Sequence, residues 1–178
     1  MNKIKALLAA AILTPLVALA NDPQVPAEQE IRTEAVEVVK KYANAIACVD
    51  DEYGLWEFLT LSPWEEYYAR DDAEYAVIWS GDVGCAGGSG TTVVKLAIVK
   101  IGAGNTFYVD AWNSSPPKEF EFFSRAFDGV VANTSDVIVL EALEHGEDDA
   151  NCCPSQQVRY TLKRDGDSNW KLHQRQEL

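Results

Sequence analysis

Histidine is nearly missing from this chain and cysteine is sparse: two of the first and four of the second in 178 residues. Only His145 and His173 could serve as imidazole bases, and no G-x-S-x-G or H-E-x-x-H pattern accompanies them. The usual nucleophile–base and zinc-hydrolase arrangements therefore have nothing to stand on. There is no C-x-x-C and no Cys/His cluster, which removes the common structural-zinc and thioredoxin-like patterns. Positive charge is short as well. Fifteen Lys and Arg face 28 Asp and Glu, for a net charge of −13. Such a surface repels nucleic acid and anionic lipid at long range. No apolar run is long enough to span a bilayer, the longest being residues 6–20, and there are no internal repeats or low-complexity stretches.

What is present begins with an export signal. Lys3 and Lys5 precede an apolar run over residues 6–20 that closes with Ala18-Leu19-Ala20. A charged start, a short apolar middle and an A-x-A end form a secretory signal peptide, expected to be cut after Ala20. The run contains Pro15 and falls short of the roughly 20 residues a membrane span needs. No cysteine precedes Cys48, so a lipid-modified N-terminal cysteine is not available and no stable membrane anchor is expected. Cleavage would leave 158 residues, one domain's worth. Losing Lys3 and Lys5 would take the charge from −13 to −15. The acidity either keeps an exported protein soluble or favours a basic partner.

Export makes disulfides the natural use of Cys48, Cys85, Cys152 and Cys153. Four cysteines allow three pairings. A bond between the neighbours Cys152 and Cys153 would strain the peptide between them. The expected arrangement ties Cys85 to Cys152 or Cys153, and Cys48 to the other, so that the loop reading HGEDDANCCPS (145–155) is clipped in two places.

Residues 21–26 read as a flexible leader. From Ala27 onward Ile31, Ala35, Val38, Tyr42, Ile46 and Val49 recur at steps of three and four. That is one buried helical face. With Pro26 at the entry and Glu28 and Glu30 in the first turn, a helix is predicted over 27–48. Ser62-Pro63-Trp64-Glu65 has the shape of a capping box and predicts a short helix near 63–69. Trp56, Phe58, Leu59, Trp64 and Tyr67 nearby form a core or a lid over it, or alternatively line an aromatic ligand groove. After Asp72 the period becomes two. YAVIWS, TTVVKLAIVKI, TFYVDA, GVVANT, DVIVLEAL, QVRYTLKR and WKLHQR read as strands joined by short turns, an antiparallel meander. One helix before such a sheet places the chain in the α+β class.

Three loops could carry chemistry. GDVGCAGGSGTT (81–92) holds five glycines. No lysine follows and a strand comes next, so it is no P-loop. It is either a wide turn pinned by Cys85 or a backbone nest for an anion or peptide terminus. Asp165, Asp167 and Asn169 match the first positions of a calcium loop, but Trp170 and Gln176 stand where glycine and glutamate are required. Glu147, Asp148 and Asp149, with His145, read as a solvated loop rather than a weak calcium site. His173 falls on the outward phase of the last strand. Asn113-Ser114-Ser115 and Asn133-Thr134-Ser135 fit the glycosylation pattern but carry no weight behind a bacterial-type signal peptide.

Two of these motifs, WSGDVGCAGGSGT (79–91) and GEDDANCCPS (146–155) before QVRYTL, together resemble a family of uncharacterised exported bacterial proteins. The CCPS element is also similar to one in the LppP/LprE group of mycobacterial-type lipoproteins. The first resemblance covers most of residues 35–172, the second only the C-terminal third. Neither implies an activity or a catalytic residue, and the missing lipobox cysteine departs from the lipoprotein pattern.

The expected architecture is a signal peptide (1–20), a leader (21–26) and one α+β domain (27–178). In that domain a long N-terminal helix packs on a curved antiparallel meander of about six strands. The expected function is that of a periplasmic or secreted, disulfide-stabilised protein without an assembled catalytic set, metal or cofactor. Its partner would be another envelope protein or component, a cationic hydrolase such as lysozyme being one concrete case. The alternative is a small-molecule binder using Gly87, Gly88 and Ser89 with Trp56 and Trp64. An enzyme ranks third.

Overall fold

The computed structural model describes residues 23–50, 54–87, 91–115, 126–150, 153–166 and 170–178. The expected signal peptide, Gly88, Ser89, Cys152 and residues 167–169 lie outside the described residues. Among the described residues one α-helix, α1 (Glu28–Ile46), precedes nine strands, and all their pairs are antiparallel. The strands are β1 (Ala47–Cys48), β2 (Trp56–Ser62), β3 (Glu74–Val83), β4 (Val93–Ile101), β5 (Phe107–Val109), β6 (Ala126–Asn133), β7 (Val137–Glu144), β8 (Gln156–Arg164) and β9 (Trp170–Glu177). The chain is thus a mixture of helix and antiparallel sheet, mostly sheet. The expected single meander of about six strands is corrected to two sheets. In the first, β1 and β2 both pair with β3, followed by β4 and β5; the second runs β6-β7-β8-β9.

Three layers result. On one face of the first sheet, Tyr75, Val77, Trp79, Ala97, Val99 and Ile101 pack under Ile31, Ala35, Val39 and Ala43 of α1. On its other face, Leu59, Leu61, Ala76, Ile78, Leu96 and Ile98 meet Ile138, Leu140, Val158, Tyr160, Leu162 and Trp170 of the second sheet. Strands β3 and β4 are covered on both sides, which is why VVKLAIVKI shows no clean alternation. Among the described residues the second sheet is covered on one side only, and β8 alternates Val158, Tyr160 and Leu162 inward with Arg159, Thr161 and Lys163 on the other face.

Local details depart from the pattern in instructive ways. The buried stripe of α1 is centred on Ala35, Val39 and Ala43, with Val38, Tyr42 and Ile46 on its flanks. Small alanines let the helix sit close on the sheet. Glu30 accepts a hydrogen bond from the Ala27 backbone N–H at 3.0 Å, fixing the helix start. The helix ends at Ile46, short of the expected Cys48, because Ala47 is extended and enters β1. The expected helix near 63–69 is also corrected. Ser62 closes β2 and pairs with Glu74, and a 3-10 turn begins only at Tyr67. Trp64 decides this: its ring is buried, its backbone N–H reaches Tyr75 Oη at 3.0 Å and its Nε1 reaches the Glu66 carbonyl at 2.8 Å. Burial of an indole outweighs a capping signal.

Two cross-sheet contacts set the alignment of the sandwich. Arg164 at the end of β8 makes a bidentate ion pair with Glu74 at the start of β3 (2.8 and 2.9 Å) and lies 5.0 Å over the Trp170 ring. Asn133 at the end of β6 donates to the Thr60 carbonyl of β2 at 2.6 Å. Going from β6 to β8 in the second sheet therefore matches going from β2 to β3 in the first, at one shared end. The β3–β4 and β7–β8 connections, which carry the two sequence motifs, both leave from the opposite end.

Candidate functional site

That opposite end is where the motif residues gather. The C-terminus of α1 delivers β1 beside the end of β3, with Ala47 opposite Val83 and Cys48 opposite Asp82. The chain then turns through Gly84 and Cys85, both at positive φ (79° and 54°), and the Gly84 N–H reaches the Ile46 carbonyl at 3.0 Å. Cys48 and Cys85 end with their Cα atoms 5.0 Å apart and are disulfide-bonded. The expected long-range pairings are thus corrected: Cys48 and Cys85 take each other, because β1 lies beside β3 while the loop bearing Cys153 hangs from the second sheet. Cys153 is itself disulfide-bonded, and no described cysteine is free.

Most residues of WSGDVGC have a visible task. Trp79 is fully buried against the helix layer. The Ser80 hydroxyl accepts from the Leu55 N–H at 3.3 Å. A Cβ on Gly81 would lie 2.8 Å from Val49 Cγ1 and 2.9 Å from the Trp79 ring, so only glycine fits. Asp82, 7% exposed, accepts the Gly87 N–H at 2.7 Å. That backbone bond holds its carboxyl below the usual aspartate range against the effect of burial, with the Thr91 hydroxyl and the Ala86 N–H assisting. The Gly87 N–H is thus engaged by Asp82, which latches the described part of the loop.

The second motif is latched the same way. Asp149 accepts the Gly146 N–H at 2.8 Å, and the Ser155 N–H and hydroxyl at 2.7 Å each. These bonds, the Gly146 one foremost, lower its pKa, and the charge of nearby His145 contributes. Only Glu147 and Asp148 of the acidic run are exposed. The sequence reading of a solvated loop missed the inward turn of Asp149; the signal available was an aspartate six residues ahead of a serine across a proline-containing turn.

Trp56 and Trp64 do not join these loops in one groove. Trp64 is 4% exposed in the helix-side core. Trp56 is half-buried opposite Trp79 in the strand pairing, with Lys40 Nζ 5.6 Å over its ring. His173 is the extra residue of a bulge in β9 and is exposed, and Asp165 pairs with Lys171 at 2.6 Å. Among the described residues, no group of three or more His, Cys, Asp or Glu is placed to hold a metal ion.

Several concavities mark the described surface, one of them bordered by Glu37, Lys40, Lys41, Asn44 and Ala45 of α1. A groove of about 680 Å³ runs along the flank of α1, between Glu30, Glu34 and Glu37 and the segment Asn105–Phe107. A smaller pocket, about 430 Å³, opens beside the disulfide between Asp50, Ser80, Gly81, Asp82, Thr91 and Thr92. Asp50 and Asp82 line that pocket, and the same end of the sandwich also carries Glu144, Glu147, Asp148, Asp149 and Glu177. Arg175, which reaches this cluster, is held by Glu144 and Glu177. Among the described residues no helix is long and apolar enough to cross a membrane. No protein-family model, curated protein or solved structure matches this chain.

Proposed function

We propose that this is an exported binding protein, not an enzyme, whose partner is a basic protein or other cationic component of the cell envelope. Its contact surface is the acidic end of the sandwich from which both motif loops leave. The observation that carries the reading is the use of rigid devices at that end. A disulfide and two aspartate latches hold loops whose remaining carboxylates point outward. Loops held on a rigid scaffold are where binding residues concentrate, and a one-sign field speeds encounter with an opposite charge. The disulfide also suits the oxidising compartment that the leader sequence predicts.

The test is capture from envelope extract on the immobilised chain, followed by titration of the captured protein at low and high salt. Cationic proteins are expected, with affinity falling at least tenfold as screening shortens to about 10 Å at 0.1 M salt. Replacing Glu147 and Asp148 by Gln and Asn lowers the association rate in this reading. Capture of acidic or neutral partners alone, or salt-insensitive binding, removes it.

A further inference from the structure

The pocket beside the Cys48–Cys85 bond is separate from the exposed acids of the β7–β8 loop, and its chemistry is more selective than theirs. We propose that it receives one cationic side chain, arginine or lysine, from the basic partner; this rests on the binding reading above.

The floor is Asp82, 7% exposed and fixed in place by the Gly87 N–H. The rim is Asp50, which is exposed. Between them stand the hydroxyls of Ser80, Thr91 and Thr92, and no Lys, Arg or His is among the described lining residues. Gly81 forms one wall, where a side chain would collide with Val49 and Trp79. A volume of about 430 Å³ falls within the range of ligand pockets. Carboxylate and hydroxyl oxygens at two heights match a group that only donates. Guanidinium offers five N–H donors in a plane and ammonium three. An anion entering between Asp50 and Asp82 would meet like charge on both sides. The latch keeps Asp82 ionised and oriented before the partner arrives, so little ordering is left to be done on binding.

The experiment is an amide-shift titration of the full chain, labelled with nitrogen-15. Three probes are added separately: N-acetyl-arginine amide, its neutral isostere N-acetyl-citrulline amide, and calcium chloride. The arginine compound is expected to move the Gly81, Asp82 and Thr92 amides saturably, and citrulline to leave them in place. Asp50→Asn, which keeps shape and removes one charge, is expected to weaken the arginine response on the order of tenfold, the equivalent of one charged hydrogen bond. An unchanged spectrum elsewhere shows that the variant folds. Equal responses to arginine and citrulline, a response to calcium alone, or an unaltered arginine affinity in Asp50→Asn each overturns the proposal. Partner binding that survives Asp50→Asn at full strength sinks the pocket and leaves the acidic-surface reading standing. An arginine response with no basic partner captured supports the pocket's chemistry and removes that reading.

Discussion

The two ends of the sandwich are built on opposite plans. At one end polar groups are spent between layers: Arg164 clamps Glu74 across the sheets and stacks on Trp170, and Asn133 reaches Thr60. At the other, the described bonds of Asp82 and Asp149 stay within their own loops, and a disulfide closes the corner between α1 and β3. The first end joins the layers; the second shapes loops and leaves Glu147 and Asp148 exposed. A partner surface is expected at an end whose rigidity does not consume its exposed charge.

Breaking the disulfide should separate the two ends most clearly. It links residues 37 apart in sequence, and closing such a loop is worth about 4 kcal/mol in the chain-entropy model. Replacing Cys48 and Cys85 by serine should lower the melting temperature by roughly 10 °C, with the largest gain in amide exchange at β1 and Gly84. A loss confined to a degree or two would show that the corner is held by packing.

The clamp comes next. Arg164 and Glu74 are 17% and 14% exposed at the side chain, and removing one partner strands the other charge. Arg164→Met should cost about 3 kcal/mol, and Arg164→Met with Glu74→Gln less than the sum of the single changes. Additive losses in denaturant titrations would mean that the pair does not act as a unit.

Acid should act on the loop end through both latches. The folded-state pKa values of Asp82 and Asp149 are depressed, so each carboxylate contributes stability that is present above the ordinary aspartate value of about 4 and lost as pH falls through the folded value. Protection of the Gly87, Gly146 and Ser155 amides should fall in that acidic window. Asp82→Asn and Asp149→Asn should remove the pH dependence at their own loops only. Protection that holds unchanged to the lowest pH would dismiss the latches.

The smallest effect belongs to Ser62 at the clamped end. A capping serine would lose about 1 kcal/mol on replacement by alanine. As the last residue of β2 it has no cap to lose, and Ser62→Ala should stay within about 0.5 kcal/mol. A full unit of destabilisation would restore the capping box.

Periodicity alone located α1 and most strands, because a buried face imposes its repeat on the side chains wherever they sit in space. It overlooked β2, whose WEFLTLS carries a capping-like Ser62 and little alternation, and it could not see that the strands divide into two sheets. Sheet membership depends on which strand ends meet, and contacts such as Arg164–Glu74, 90 residues apart, leave no local mark. For the site, the sequence marked both glycine- and acid-rich loops and the cysteines. It could not assign Cys48 to Cys85, since that follows from β1 lying beside β3, nor distinguish Asp82 and Asp149 from their exposed neighbours. Composition by itself determined the acidity, the scarcity of imidazole and the positions of the turns, because these are properties of residues and of short backbone segments. Only the tertiary structure decided which aspartates turn inward, which cysteines meet and that both motifs share one end, because each of these is a distance between segments that the chain order leaves free.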